Sequence, residues 1–298
     1  MNTQKILGFG LVTAGVLATT LLADVKPADA FVVHNGWNYS IDAKNDSTPF
    51  KNDGSGLFEI YGSAYKVVGE KVIFAINSNL DLEDGAFWNA ASVDKRVDFG
   101  DILINFTGES LDQANGELFG IHFATNNDSV INGSTTMQAG VYSNVTATSV
   151  ASSNAGWSTL QEYNNYVSGK GAMPTMGDLV NDGSYFDLET SPVNSIASGT
   201  RVGDIEFLSD LSGLGLDFNF FGNVGSELIA FSFDKGLLPA GKALYHLAIE
   251  CNNDIVGGHY DASTGDTTEV PTPAAIVPAI LGMFGAAARK KNVDLANS

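Results

Sequence analysis

The feature that most constrains the fold is a series of short apolar runs, each closed by glycine, asparagine or aspartate. Such runs are rich in β-branched and aromatic residues, and 33 glycines punctuate the 298-residue chain. This pattern is typical of short strands joined by turns. It predicts a mainly β fold, a single antiparallel β-sandwich or jelly-roll-like domain. The predicted strands are 57–61, 71–76, 101–106, 118–124, 140–150, 202–208, 227–234 and 243–252.

Local patterns refine this prediction. The first two runs flank a turn at Gly69 and predict a hairpin. The run 101–106 alternates only loosely, which indicates a strand covered on both faces. Ser158 and Gln161 fit a capping box ahead of a helix over about 159–168. The segment 174–181 is expected to form a second, shorter helical turn.

The charge balance restricts the partners of the chain. It has 15 basic and 34 acidic residues and a net charge of −19. Such a surface repels nucleic acid and anionic lipid, so no nucleic-acid partner is expected. Cys251 is the only cysteine, so an internal disulfide is excluded. Because Cys251 lies in an apolar run, it is expected to be a core residue rather than a reactive thiol.

The N-terminal 30 residues have the composition of a secretory signal peptide. Lys5 precedes an apolar, uncharged run, and Ala28 and Ala30 occupy the small-residue positions that a signal peptidase reads. Cleavage is expected before Phe31. An N-terminal anchor helix is the alternative, because the run is close to the roughly 18 residues that suggest a membrane span.

The C-terminal segment has three parts. The motif Pro271, Thr272, Pro273 and Ala274 is followed by an apolar run over 274–288 and by a basic cluster. The basic residues are Arg289, Lys290 and Lys291. As a helix the apolar run would span roughly 22 Å, less than the roughly 30 Å hydrocarbon core, so it suits transient membrane contact. The basic cluster is expected to stay cytoplasmic as a stop. The expected organisation is signal peptide 1–30, globular domain 31–260, polar spacer 261–270 and sorting signal 271–298.

This three-part segment resembles the exosortase sorting signals of the PEP-CTERM class, in the Pro-Thr-Pro-Ala variant common in cyanobacteria. The body resembles a cyanobacterial family of exosortase-dependent surface proteins at 35–42, 76–80, 140–146 and 231–235. The resemblance covers nearly all of 31–270. It implies signal peptidase and an exosortase-like enzyme as processing partners, and it implies surface display, with no known activity.

Metal and sugar sites are suggested only by composition. The four histidines show no zinc-ligand spacing, and no cofactor is expected apart from calcium. The acidic loop Asp81, Glu83 and Asp84 is the candidate calcium site, beside the loops 126–128 and 252–254. Plain turn chemistry is the alternative, since Asn and Asp favour turns. Trp37, Trp88 and Trp157 are candidate stacking platforms for extracellular polysaccharide, or else core anchors.

The sequence favours a non-catalytic function. It has no nucleophile elbow and no phosphate-binding loop. Glycoside hydrolysis would need two carboxyls about 5–10 Å apart. Glu59 with Glu206 or Glu250 could supply such a pair. These residues are equally well explained as outward polar residues of alternating strands. We therefore expect an exported cell-surface or extracellular-matrix protein. A carbohydrate-binding module is the alternative, and a secreted hydrolase is the third possibility.

Overall fold

The computed structural model of the chain describes residues 32–87, 92, 94–134, 138–222 and 224–261. Most strands in these residues belong to two antiparallel sheets of six strands each. The strands in chain order are β1 Val32–His34, β2 Trp37–Ile41, β3 Ile60–Val68, β4 Lys71–Ser78, β5 Ala86–Phe87, β6 Arg96–Val97, β7 Ile102–Asn105, β8 Leu118–His122, β9 Gly140–Thr148, β10 Ser195–Gly203, β11 Glu206–Phe207, β12 Glu227–Asp234, β13 Lys242–Ala248 and β14 Ile255–Asp261.

The chain builds the two sheets in blocks of consecutive strands. The first sheet has the order β1-β2-β3-β4-β12-β11, and the second has the order β10-β9-β8-β7-β13-β14. Strands β5 and β6 form a separate pair. The helices are α1 Leu111–Ala114 and α2 Leu160–Gly169, with 3₁₀ turns at Ala151–Asn154, Phe218–Phe221 and Lys235–Leu237.

The two sheets share one hydrophobic core, so they face each other. Phe74 of the first sheet meets Tyr245 of the second edge to face, with ring centroids 5.3 Å apart. Phe231 stacks on Phe123, which follows β8, at 5.6 Å. Burial of each such ring stabilises the fold by about 1.5–3 kcal/mol, and aromatic pairing adds about 0.5–1.5 kcal/mol.

The outer faces of both sheets are covered as well. Helix α2 lays Leu160, Tyr163 and Val167 on the outer face of the second sheet, in a second apolar cluster. On the first sheet, the segment that precedes β12 covers Trp37, and Phe218 packs edge to face on Tyr39. Strands such as β7, which has no exposed residue, are therefore buried on both faces.

The structure confirms the mainly β prediction and most of the strands. The hairpin forms around Gly69, β12 has the predicted bounds, and β7 is covered on both faces as expected. Helix α2 lies close to its predicted range. Its cap, however, is Thr159, whose side chain accepts a hydrogen bond from the amide of Glu162. The observed capping pair, Thr159 and Glu162, therefore lies one residue after the predicted pair, Ser158 and Gln161.

Two predicted elements are wrong. The segment 174–181 is not helical, because its backbone pairs with β14: the Gly257 amide donates to Met176, and the Asp178 amide donates to Gly257. Gly177 has φ +61°, and a Cβ there would lie 2.5 Å from the Gly257 carbonyl. The run 202–208 is two elements, since β10 ends at Gly203 and the chain then crosses to the other sheet as β11.

The first and the last described elements are both strands. The first strand begins at Val32. The last strand ends at Asp261, which pairs with Lys242, so the predicted spacer loses its first residue to β14. Among the described residues, no helix is long and apolar enough to cross a membrane.

Candidate metal centre

Four acidic side chains meet where the two sheets approach each other. Asp42 directly follows β2, and Asp46 lies four residues later in the loop that leads to β3. Glu59 directly precedes β3, and Asp254 directly precedes β14 of the other sheet. Their positions at strand ends bring residues far apart in the chain to one place between the sheets.

The cluster is tight and buried. Asp42, Asp46 and Asp254 each offer one carboxyl oxygen, and these three oxygens lie within 4.8 Å of one another. Asp42 is 2% exposed, and Asp46, Glu59 and Asp254 are 0% exposed. Burial of this degree is rare for acidic residues unless they are paired or bind a metal.

Thr175 fixes two of the carboxyls. Its hydroxyl lies 2.6 Å from Asp42 Oδ1 and donates to it, and its amide donates to Asp46 Oδ2 at 2.7 Å. The amide of Gly177 also donates to Asp42 Oδ1, at 2.8 Å. The segment that pairs with β14 therefore closes the cluster from the side.

Neighbouring backbone and hydroxyl groups fix the other two carboxyls. Asp254 accepts hydrogen bonds from the amides of Ile60 at 2.7 Å and of Ile255 at 2.9 Å. Because Ile60 starts β3 and Ile255 starts β14, this carboxyl joins the two sheets. Glu59 Oε2 accepts from the Ser47 hydroxyl at 2.7 Å.

Three buried oxygens at the cluster remain unsatisfied. Asp46 Oδ1, Glu59 Oε1 and the Tyr163 hydroxyl have no hydrogen-bond partner among the described residues. All three side chains are 0% exposed. Buried polar atoms are normally hydrogen-bonded, so each of these oxygens calls for an explanation, such as a bound ion.

Burial and mutual repulsion raise the pKa of every carboxyl in the cluster. Desolvation is the main cause at all four, and the charges of neighbouring cluster members raise the pKa values further. Burial, followed by the charges of the same four carboxyls, also raises the pKa of Tyr163. The phenol therefore lies within electrostatic range of the cluster.

The arrangement brings several carboxyl oxygens and their negative charge to one place. In the described part of the chain, no lysine, arginine or histidine forms an ion pair with Asp46, Glu59 or Asp254. Carboxyl and hydroxyl oxygens are the ligands of hard cations. The residues present therefore fit a hard divalent cation.

The loop that the sequence suggests for calcium forms a tight turn. Asp81 Oδ1 accepts hydrogen bonds from the amides of Glu83 and Asp84, at 2.8 and 2.6 Å. Glu83 and Asp84 are exposed. The three side chains do not belong to the group of carboxyls that comes within 4.8 Å among the described residues. The carboxylate of Asp81 closes its own loop, as the turn alternative expects, and a calcium site there stays a prediction.

The two described tryptophans are less exposed than stacking platforms for a polysaccharide would be. Trp37 is 0% exposed, and its indole N–H donates to the Leu214 carbonyl at 2.8 Å, so it is a core anchor and not a platform. Trp157 is half-buried, packs on Tyr166 with ring centroids 5.2 Å apart, and donates to Thr48. Trp88 lies outside the described residues.

The glutamates considered for glycoside hydrolysis occupy different surroundings. Glu206 is exposed on β11, whereas Glu59 is fully buried. Glu250 is 1% exposed and accepts hydrogen bonds from the amides of Asp98 and Asp128. Its pKa is raised to about 9 by burial. The buried members of these pairs are closed to a polysaccharide in this conformation.

An open groove lies at the β11 edge of the first sheet. It has a volume of about 590 Å³ and is lined by Leu82, Glu83, Phe123, Thr125, Asn126 and Phe207. The Phe207 side chain is 47% exposed. The groove thus presents the exposed ring of Phe207 beside the amide group of Asn126 and the carboxyl group of Glu83.

Sequence reasoning found part of the buried cluster. It singled out Asp254, in the loop 252–254, for calcium and Glu59 for catalysis, but it missed Asp42, Asp46 and Tyr163. A usable signal was the pair of aspartates four residues apart, the first directly after the alternating apolar and polar run Trp37–Ile41. The signal peptide with Ala28, Ala30 and Phe31, the motif 271–274 and the basic residues 289–291 lie outside the described residues and stay predictions.

Comparisons of the chain with protein-family models, with curated proteins and with solved structures find no match.

Proposed function

We propose that the chain is an exported, non-catalytic protein of the cell surface or extracellular matrix, sorted by an exosortase-type system. In this proposal signal peptidase removes residues 1–30. An exosortase-like membrane enzyme then acts at Pro271–Ala274 while the apolar run and the basic residues hold the chain at the membrane. The body is a β-sandwich displayed outside the cell.

The signal-peptide composition of residues 1–30 and the three-part C-terminal segment 271–298 carry this proposal. The first described strand begins at Val32, directly after the expected cleavage before Phe31. The last ends at Asp261, ahead of the motif that starts at Pro271. Both cuts would therefore leave every described strand intact, as a processing substrate requires. The acidic surface, with a net charge of −19 for the whole chain, suits a soluble displayed domain.

Mass spectrometry of the protein recovered from the surface of its native cells tests the proposal. The expected product begins at Phe31 and ends within 270–274. Neutral replacement of Arg289, Lys290 and Lys291 should leave unprocessed or mislocalised precursor, because the basic stop that fixes the membrane orientation is lost. Replacement of the exposed residues Lys44, Lys51 and Lys170 is the matched control for charge. A surface protein that retains Ser298, or normal processing of the 289–291 variant, would contradict the proposal.

The groove at β11 favours carbohydrate binding as a second candidate. Phe207 offers a half-exposed ring for stacking, and Asn126 and Glu83 offer groups that hydrogen-bond hydroxyls. A glycan array of acidic and neutral polysaccharides tests it, with Phe207→Ala as the groove variant. Phe220→Ala is the control, because Phe220 is also exposed but does not line this groove. Binding that is lost in the first variant alone supports this candidate, and silence across the array removes it.

A further inference from the structure

We propose that the buried carboxyls of Asp42, Asp46 and Asp254, with Glu59 beside them, form a calcium site that clamps the two sheets together. The proposal stands on the geometry of the described residues and does not depend on export. Three carboxyl oxygens within 4.8 Å of one another can ligate a single ion. Glu59 interacts electrostatically with all three aspartates.

The unsatisfied oxygens are an independent sign of a ligand. Asp46 Oδ1 and Glu59 Oε1 have no hydrogen-bond partner among the described residues, although both side chains are fully buried. The Tyr163 hydroxyl is buried and unpartnered in the same region. The two carboxyl oxygens are atoms that a cation can use and that the described protein groups leave unused.

Protons shared between neighbouring carboxyls would relieve part of the repulsion in the cluster. Asp46 Oδ1 and Glu59 Oε1 nevertheless have no hydrogen-bond partner among the described residues, although buried polar atoms normally have one. Ionised carboxylates without a counter-charge would repel each other in a region with little water. A divalent cation satisfies the free oxygens and the charge together.

Calcium fits better than magnesium. Calcium takes six to eight oxygen ligands at 2.3–2.6 Å in flexible geometry, whereas magnesium requires an octahedron at 2.0–2.1 Å and usually keeps several waters. This site is closed to bulk solvent, since its four acidic residues are at most 2% exposed. It is also rich in carboxyls, which favours an ion that sheds its waters.

The position of the site defines its role. Asp42 and Asp46 follow β2, and Glu59 precedes β3, so they hold both ends of the loop 42–59 of the first sheet. Asp254 precedes β14 of the second sheet. A shared ion therefore ties this loop to the opposite sheet, beside the existing hydrogen bond from the Thr48 amide to the Asn253 carbonyl at 2.9 Å.

Thermal unfolding of the full chain in detergent, after removal of metal with a chelator, tests the proposal. We expect 10 mM calcium to raise the melting temperature by about 5 to 10 °C, the shift for a site of roughly 0.1 mM affinity. Magnesium at the same concentration should give a clearly smaller shift. Titration calorimetry should give one calcium per chain.

Asp46→Asn separates metal binding from folding. The amide keeps the size of the side chain and its carbonyl can still accept from Thr175, but it removes a charge and a ligand. We expect the calcium shift to fall at least several-fold while the metal-free melting temperature stays equal or rises, because a buried like charge is gone. Glu59→Gln is the second variant, should Asp46→Asn fail to fold. Asp81→Asn is the control and should keep the full shift.

The proposal would be overturned if calcium left the melting temperature of the wild type unchanged. It would also be overturned if Asp46→Asn and Glu59→Gln both kept the full calcium-induced shift in melting temperature, or if Asp81→Asn lost that shift instead. A larger shift with magnesium than with calcium would also contradict it, because the site would then prefer the wrong ion.

Discussion

Asp101 is a buried side chain on which four hydrogen bonds converge. Its oxygens lie 2.8 Å from His122 Nδ1, 3.1 Å from Asn127 Nδ2, 2.6 Å from Ser129 Oγ and 2.7 Å from the Ile196 amide. Aspartate, not histidine, stands at the centre, so the group differs from a nucleophilic triad, in which histidine links the other two residues. It fastens β8, β10 and the loop 123–131 to the start of β7.

Asp101→Asn should therefore destabilise the protein. The amide turns one acceptor into a donor facing other donors, and we expect a loss of about 3 kcal/mol in the free energy of unfolding. Urea denaturation measures it. Asp182→Asn is the control, because Asp182 is exposed and caps only its own turn, and it should change the free energy by less than about 0.5 kcal/mol. Equal midpoints for the two variants would contradict this interpretation.

His246 makes stability depend on acid pH. Burial lowers its pKa to about 4 from the ordinary 6.5. Its Nε2 lies 2.9 Å from the Val193 carbonyl and donates to it, so Nδ1 accepts from the Tyr185 hydroxyl at 3.2 Å. The neutral ring is thus favoured in the folded state, while the unfolded chain binds a proton below about pH 6.5.

The contribution of neutral His246 to the free energy of unfolding is fully present above pH 6.5 and is lost as the pH falls towards 4. At about 1.36 kcal/mol per pKa unit, the loss by pH 4 is about 3 kcal/mol. We expect the wild type to lose this much relative to His246→Gln, in urea midpoints measured at pH 7, 5.5 and 4. A constant difference between the two proteins over this range would show that His246 does not titrate as described.

At the scale of elements, the loop 42–59 depends most on the proposed ion. Lys44 and Lys51 are exposed within it, whereas the buried Asp42, Asp46 and Glu59 face the cluster. Without the ion, repulsion between the carboxyls should open the loop, since local stability follows local contacts. We expect trypsin to cut after Lys44 and Lys51 at least several-fold faster in chelator than in calcium, as read by mass spectrometry.

Lys170 provides the internal control for this measurement. It is exposed at the end of α2 and does not belong to the loop. Its cleavage rate should be independent of calcium. Equal acceleration at Lys170 would indicate global unfolding, and unchanged rates at Lys44 and Lys51 would mean that the loop does not depend on an ion.

The elements also show what could be predicted from sequence. Strand β12 and helix α2 were found because their apolar spacing is local, and turn residues mark their ends. The pairing of 174–181 with β14 depends on a partner about 80 residues away, which no local pattern reports. The carboxyl cluster escaped prediction for the same reason, since Asp42 and Asp254 meet only after both sheets have formed.

At the scale of the whole molecule, every described strand lies between the two predicted processing signals. A chain of residues 31–270 should therefore melt within about 2 °C of the full chain in calcium. A chain that stops at 254 should lose cooperative unfolding, because it lacks β14, which pairs along the whole of β13. A large loss of stability in the 31–270 chain would mean that its ends contribute to the fold.

The excess of acidic residues in the molecule and its buried carboxyl cluster both favour a bound cation. The chain carries many more acidic than basic residues. The four acidic side chains of the cluster are buried, and among the described residues no basic side chain forms an ion pair with Asp46, Glu59 or Asp254. A divalent cation would neutralise this buried charge where carboxyl groups join the two sheets. We expect calcium to be a structural component of the fold.

A crystal structure of the full chain grown with calcium tests this claim most directly. We expect one anomalous difference peak between the sheets, with oxygens of Asp42, Asp46 and Asp254 at the 2.3–2.6 Å typical of calcium. Water or empty space at this position, or a peak at Asp81 instead, would contradict it.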